Sequence, residues 1–328
     1  MTKDLTYSEA IAAAIDKKME EDPAVIVMGE DIGPQGGVFG TTRGLFDKYG
    51  CSRIIDTPIS ENSFVGAAVG AAMTGLKPIA EVMYIDFITL AADQIINQAA
   101  KVRYMFGGKF SVPLVIRTQG GAGKGNAAHH SQSFEALFCH IPGLKVVMPS
   151  TPDDAYGLLI SSVEDNNAVI FIDHKLLYSI KGPVSSKPIP LGKADIKRKG
   201  TDITIVAVSF MVLKAIEAAE SLKKQGIDCE IIDPRTLSPL DTETIIESVK
   251  KTGHLLIVHE SVREAGTGAY ISSQIEEDIF DYLDGPISVI GSAFCPIPYA
   301  HPLESEVIPQ TEDIIDKVKK MLGKEIQT

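Results

Sequence analysis

Glu61 is the acid whose setting invites chemistry. It follows Pro58 and the β-rich run RIIDTPIS, and it opens ENSFVGAAVGAAM, a stretch dominated by small residues. An acid at a helix N-terminus is favoured by the helix dipole, so capping alone would explain it. In an apolar setting the same carboxyl could hold and pass a proton, and both readings stand on spacing alone. Phe87 closes the next apolar run, PIAEVMYIDF, either as core or as an aromatic surface for a ligand. His129 and His130 sit in the loop GGAGKGNAAHHSQ, as a solvated pair or as metal ligands. Adjacent side chains point apart in extended chain, and no acid cluster lies nearby, which disfavours a metal.

The glycine-rich segment GGAGKG, residues 120–125, resembles a phosphate loop but lacks its hydroxyl. A P-loop places Ser or Thr after its lysine to reach Mg²⁺, and here Lys124 is followed by Gly125 and Asn126. A loop that is mobile or faces substrate is the better expectation, since such loops after parallel strands border the usual ligand crevice. No GxGxxG opens a helix after a strand, so direct NAD binding is disfavoured too.

The elements that must carry these residues alternate. Residues 7–21 have helical periodicity through Ile11, Ala14, Ile15 and Met19, and AVIVMGED reads as a buried strand. After Glu61, Gly66 and Gly70 lie among alanines. Glycine costs a helix interior about 1 kcal/mol relative to alanine, so a close neighbour is expected there. TLAADQIINQAAKVRYMF reads as one long helix ending at Gly107-Gly108, and VPLVIRT, KVVMPS and AVIFIDH as strands. Thr151-Pro152-Asp153-Asp154 has the signature of a helix start. Continuous apolar strands between helices predict an α/β fold with a parallel sheet covered on both faces. The Pro-, Gly-, Ser- and Lys-rich run around 181–200 reads as a linker between a domain of residues 1–180 and a second α/β domain of residues 201–328.

The 328 residues suffice for two such cores, and 45% hydrophobic with 23% charged residues is an ordinary globular composition. With 31 basic against 43 acidic residues the net charge is −12, which argues against a nucleic-acid partner. Cys51, Cys139, Cys229 and Cys295 are widely spaced and read as buried free thiols in a reducing compartment. The polar N-terminus carries no signal-peptide core, and the apolar run of residues 63–76 is too short to span a membrane. A cytoplasmic protein without membrane association is expected.

Four stretches, TPISENSFVGAAVGAA, DQIINQAAKVRYMFGG, AAHHSQSFEALFCHIPGLKVVMPS and DPRTLSPLD, resemble the β subunit of the thiamine diphosphate-dependent component of 2-oxo acid dehydrogenase complexes. Within that family MYIDF, KVRYMFGGK, PLVIRT and DHKLLYS are most similar to acetoin dehydrogenase β subunits, with pyruvate and branched-chain enzymes as near relatives. The resemblance runs from about residue 4 to 322. It implies a transketolase-like pyrimidine-binding domain, a transketolase C-terminal-like domain, and an α₂β₂ heterotetramer with an α subunit. That component would act with a lipoyl acetyltransferase core on a small-molecule substrate. Thiamine enzymes hold the diphosphate through Mg²⁺ with a GDG motif and a later Asn-Asn. This chain has no GDG, and Asn166-Asn167 stands alone, so the α subunit is expected to hold Mg²⁺ and the diphosphate.

By the same resemblance, Glu61 pairs with the pyrimidine ring of the cofactor and relays its proton, and Phe87 stacks on that ring. His130 is implied in proton transfers and in acyl transfer to the lipoyl group. The family usually has Gln where this chain has His129, which leaves the division of work between the two histidines open. Leu114, Ser162, Val163, Asp165 and Asn167 correspond to a potassium site in some relatives. Acetoin cleavage is the expected reaction, with decarboxylation of pyruvate or a branched-chain 2-oxo acid as the alternative. A transketolase half-protein and a non-catalytic scaffold are further rivals.

Overall fold

The computed structural model describes residues 3–324. The chain divides into two compact units, Met1–Gly120 with Leu137–Leu191, and Gly121–Ala136 with Gly192–Thr328. The first opens with strand β1, Lys3–Thr6, and helix Tyr7–Glu21. Thr6 starts that helix with a reciprocal cap: its Oγ1 accepts the Glu9 N–H, while the Glu9 carboxylate accepts the Thr6 N–H at 2.8 Å. The buried face of the helix is Tyr7, Ala10, Ile11, Ala14, Ile15, Lys18 and Met19, which includes the four periodic positions of the sequence.

Six strands of this unit follow: β2 (Val25–Gly29), β3 (Ile54–Asp56), β4 (Lys77–Val82), β5 (Val115–Gly120), β6 (Lys145–Val147) and β7 (Val169–His174). They run parallel in the order β6-β7-β5-β4-β2-β3. β2, β5 and β7 are buried along their whole length, which is why they read as continuous apolar runs. Helix Pro152–Glu164 begins as its sequence predicts, with Thr151 Oγ1 accepting the Asp154 N–H at 3.1 Å.

Two expectations change. The single long helix expected over residues 89–106 is broken into a 3₁₀ turn, Phe87–Ala91, a wide π turn, Gln94–Ala99, and a short α-helix, Val102–Met105. The π turn lays Gln94 across the glycine of the neighbouring helix: a Cβ on Gly66 would lie 3.2 Å from the Gln94 side-chain oxygen. The close neighbour expected at Gly66 is therefore present. The run read as a linker also carries regular structure. Strand β8, Lys181–Val184, pairs antiparallel with β1, Lys3 opposite Val184 and Thr6 opposite Lys181.

In the second unit β9 (Asp195–Arg198), β10 (Ile203–Ala207), β11 (Cys229–Asp233), β12 (Thr236–Ser238), β13 (Leu255–Val262) and β14 (Ser288–Ser292) appear in that sequence. The sheet order is β14-β13-β10-β11-β9, parallel except for the edge strand β9. Helix Met211–Lys223 packs Met211, Val212, Ala215, Ala218, Ala219 and Leu222 on β10, with Ile314 and Val318 of the last helix in the same core.

All four cysteines are free, but only Cys229 is buried; Cys51 and Cys295 are exposed, which corrects the expectation of buried thiols. Burial pushes the Cys229 thiol up to about 12. Among the described residues no helix is long and apolar enough to cross a membrane.

Candidate active site

The carboxyl ends of the parallel strands in the first unit, the usual place for a ligand in such a sheet, carry two buried acids. Glu30 follows β2 directly, and Glu61 is the first residue of helix Glu61–Met73, just beyond β3. Both are buried, at 8% and 7% exposure. Burial, and the nearby Glu61 carboxylate, push the Glu30 carboxyl above the ordinary glutamate range. Glu30 Oε1 is sealed from solvent with no hydrogen-bond partner, and Glu61 makes no side-chain hydrogen bond among the described residues. An acid buried without a partner, next to one biased toward its neutral form, is equipped to exchange a proton with a group from outside. The 3₁₀ turn that starts at Phe87 packs on the helix that starts at Glu61.

Behind Phe87 lies a cluster that sequence reasoning missed. Arg117 is fully buried between Glu81 and Asp173, at 2.5 and 2.7 Å. Thr41 accepts from Arg117 Nη1, and the Tyr178 hydroxyl from Nη2, each at 3.0 Å. The two carboxylates hold the guanidinium in its charged form, whereas burial drives Asp173 upward against the pull of Arg117. Tyr7 donates to Asp173 at 3.0 Å. The signal was legible: PIAEV, PLVIRT and IFIDH each carry one charge inside an apolar strand, and β-pairing sets Glu81 beside Arg117. A buried ion cluster with one arginine between two acids fixes geometry more than it adds stability.

Leu114 immediately precedes β5, and Ser162, Val163, Asp165 and Asn167 lie at or just beyond the end of helix Pro152–Glu164. The Leu114 carbonyl accepts the Val169 N–H at 2.9 Å, and the Ser162 carbonyl accepts the Asp165 N–H at 3.3 Å. Each of these oxygens keeps a second lone pair, a donor type suited to a hard cation. The Asp165 carboxylate is engaged by Lys145 and by Asn167.

The second unit holds the histidine loop. Gly121, Gly123, Gly125 and Ala127 all have positive φ, which turns successive amides inward. Those amides are already satisfied: Ala122 N–H donates to Glu260 at 2.5 Å, and Gly123 and Gly125 N–H donate to Glu304 at 2.7 and 3.1 Å. The loop is thus pinned, not loose, and its resemblance to a phosphate cradle ends on two carboxylates of the chain itself. His130 is half-buried, and its N–H reaches the Ala127 carbonyl at 3.4 Å. His129 is exposed and lines a cavity of about 540 Å³ with Ser131, Phe134, Glu260 and Cys295. Glu61 and Phe87 belong to the first unit and the two histidines to the second.

Comparison with known proteins divides the chain by sequence instead, and keeps the histidine loop with the first domain. The family model "Transketolase, pyrimidine binding domain" matches residues 3–181, and "Transketolase, C-terminal domain" matches residues 192–314. A split-gene transketolase solved as an inactive β₄ tetramer shares the fold, with a TM-score of 0.79 over 97% of this chain and 98% of that one, at 23% identity. Fold and site define a two-domain α/β chain of transketolase type.

The acetoin:2,6-dichlorophenolindophenol oxidoreductase β subunit of Cupriavidus necator is 47% identical, over 98% of each chain. Its Bacillus subtilis counterpart is 44% identical over the same shares. The pyruvate dehydrogenase E1 β subunit of Rickettsia conorii is 45% identical over 97% of this chain and 98% of its own. The chain belongs to this family, the β subunits of thiamine diphosphate-dependent dehydrogenases.

Proposed function

We propose that the chain is the β subunit of an acetoin dehydrogenase that cleaves acetoin and passes the acetyl unit to a lipoyl group of a multienzyme complex. It would work in the cytoplasm as half of an α₂β₂ heterotetramer, the α subunit supplying the diphosphate and Mg²⁺ site. The observation that carries this reading is Glu61, a buried carboxyl with no partner of its own beside a second buried acid. That pair suits the ring nitrogen of an aminopyrimidine, and Phe87 offers the same ring an aromatic face.

Thiamine diphosphate, when bound, supplies a carbon nucleophile for the substrate carbonyl and an electron sink for the bond that breaks. Glu61 would hold a proton against the pyrimidine ring, as a carboxyl within hydrogen-bond reach of a ring nitrogen can. Glu30 lies beside it, its carboxyl pushed upward by burial and by the Glu61 charge. His130 would serve proton and acyl transfers, with His129 at the mouth of the adjoining cavity. Leu114, Ser162, Val163, Asp165 and Asn167 would hold a potassium ion through oxygens.

Relatives named for acetoin support the substrate, at 47% and 44% identity. A second reading, pyruvate or a branched-chain 2-oxo acid, is favoured by the 45% identity to a subunit named for pyruvate. The reconstituted α/β pair assayed with acetoin, pyruvate and branched 2-oxo acids chooses between them; a clear preference for pyruvate overturns the substrate and spares the residue roles. Glu61→Gln should leave assembly intact and lower turnover by about 10²–10⁴-fold, the range for a lost acid–base group. A variant with normal turnover would return the chain to a scaffold.

A further inference from the structure

The turn between β4 and Phe87 is held in an uncommon shape. Tyr84 has φ +66°, a left-handed conformation that bulky residues rarely adopt and that persists only where the surroundings impose it. Two restraints converge on it, one polar and one aromatic, and both begin at the buried arginine.

The first runs through Gln119, which is fully buried at the end of β5. Its side-chain oxygen accepts the Tyr84 N–H at 3.1 Å, and its amide nitrogen donates to Glu81 Oε1 at 3.4 Å. This orientation is forced, since an N–H needs an acceptor and a carboxylate needs a donor. Glu81 is fixed in turn by Arg117. The Gln119 carbonyl also takes the Ile85 N–H at 2.8 Å, and the Tyr84 carbonyl takes the Phe87 N–H at 3.1 Å.

The second restraint is aromatic. Arg117 donates to the Tyr178 hydroxyl; Tyr178 stacks on Phe39 with centroids 5.0 Å apart; Phe39 meets Tyr84 edge-on at 5.7 Å, and Tyr84 meets Phe87 edge-on at 6.3 Å. The Lys175 ammonium lies 5.2 Å from the centre of the Tyr84 ring.

We propose that Gln119 is a positioning residue for Phe87: its side chain clamps the left-handed turn at Tyr84 and so sets the plane that the Phe87 ring presents to the pyrimidine. This rests on the reading of Phe87 as the ring that faces the cofactor. Both polar ends of a fully buried amide are spent on that one turn and its anchor. An apolar residue would fill the same space, but it would leave the Tyr84 N–H unheld. Phe39, from the glycine-rich loop after β2, is the aromatic counterpart of the clamp.

The test uses the assembled α/β complex, titrated calorimetrically with thiamine diphosphate in Mg²⁺ buffer and then assayed at saturating cofactor. Gln119→Met keeps the length of the side chain and removes both hydrogen bonds. Its cofactor Kd should rise about tenfold, the upper effect of one lost hydrogen bond, with kcat at saturation changed less than about twofold. Phe87→Ala should also weaken binding, and Gln119→Met/Phe87→Ala should bind no more weakly than Phe87→Ala alone, since the clamp acts through the ring. Phe39→Leu, at a half-buried loop position, should raise Kd in the same direction and carries the test if Gln119→Met does not assemble. Unchanged Kd in the clamp variants beside a weakened Phe87→Ala, or additive effects in the double variant, overturns the positioning role alone. Unchanged Kd in Phe87→Ala overturns the reading of Phe87, and the clamp falls with it.

Discussion

Glu30 and Glu61 are two buried acids close enough for the charge of one to act on the other, and that proximity has a measurable sign. The Glu30 carboxyl titrates above its value in the unfolded chain, so its folded form prefers to be neutral. The penalty for ionising it is absent at low pH and grows as pH rises from the unfolded value through the folded one. Glu30→Gln should therefore raise the melting temperature of the chain at pH 7.5 and leave it unchanged near pH 3.5, read by thermal melts at both. A variant less stable at pH 7.5 would mean that the ionised pair is held by contacts beyond these two acids. In the complex the same substitution should impair turnover less than Glu61→Gln, because it preserves the carboxyl proposed to meet the cofactor ring.

Elements in this chain approach one another at glycine, and two positions show opposite consequences. Gly143 has φ +103°, and a Cβ there would lie 2.1 Å from the Ala100 carbonyl oxygen, a backbone atom that cannot swing aside. Gly143→Ala should cost about 3 kcal/mol or more in urea unfolding, combining strain with a backbone clash. Gly70, on the solvent side of helix Glu61–Met73, meets nothing within 4 Å, and Gly70→Ala should stabilise the isolated chain by about 0.5–1 kcal/mol. The apolar strands, the capped helix at Thr151 and the crowded glycine helix were legible because their signals are local. The π turn at Gln94–Ala99 was not, since its widened ladder depends on what packs beside it. Nor were β1 with β8, or Glu304 with the glycine loop, because such partners lie more than 170 residues apart in sequence. Glu61, Phe87 and His130 were proposed through resemblance; the contacts of Glu30, Gln119 and Arg117 needed the folded chain.

At the scale of the molecule, the second unit carries its own acid sensitivity. His259 is fully buried on β13, its Nδ1 against the Ser261 hydroxyl at 2.8 Å, and burial lowers its pKa to about 4. In the unfolded chain the imidazole would take a proton near its ordinary value of 6.5, so stability is complete above that pH and drains away as pH falls toward 4. The loss amounts to roughly 3 kcal/mol, and His259→Gln should flatten that part of the profile in urea titrations between pH 7.5 and 4.5. Equal slopes in both proteins would assign the acid limb to the carboxylates alone.

The clasp of Glu260 and Glu304 on the glycine loop bears on which solutes the protein can ignore. Each carboxylate is tethered, so its local abundance far exceeds that of any dissolved competitor, and a nucleotide or inorganic phosphate at cellular levels would have to evict it. A segment with the curvature of an anion trap is thereby made deaf to the commonest anions in its surroundings.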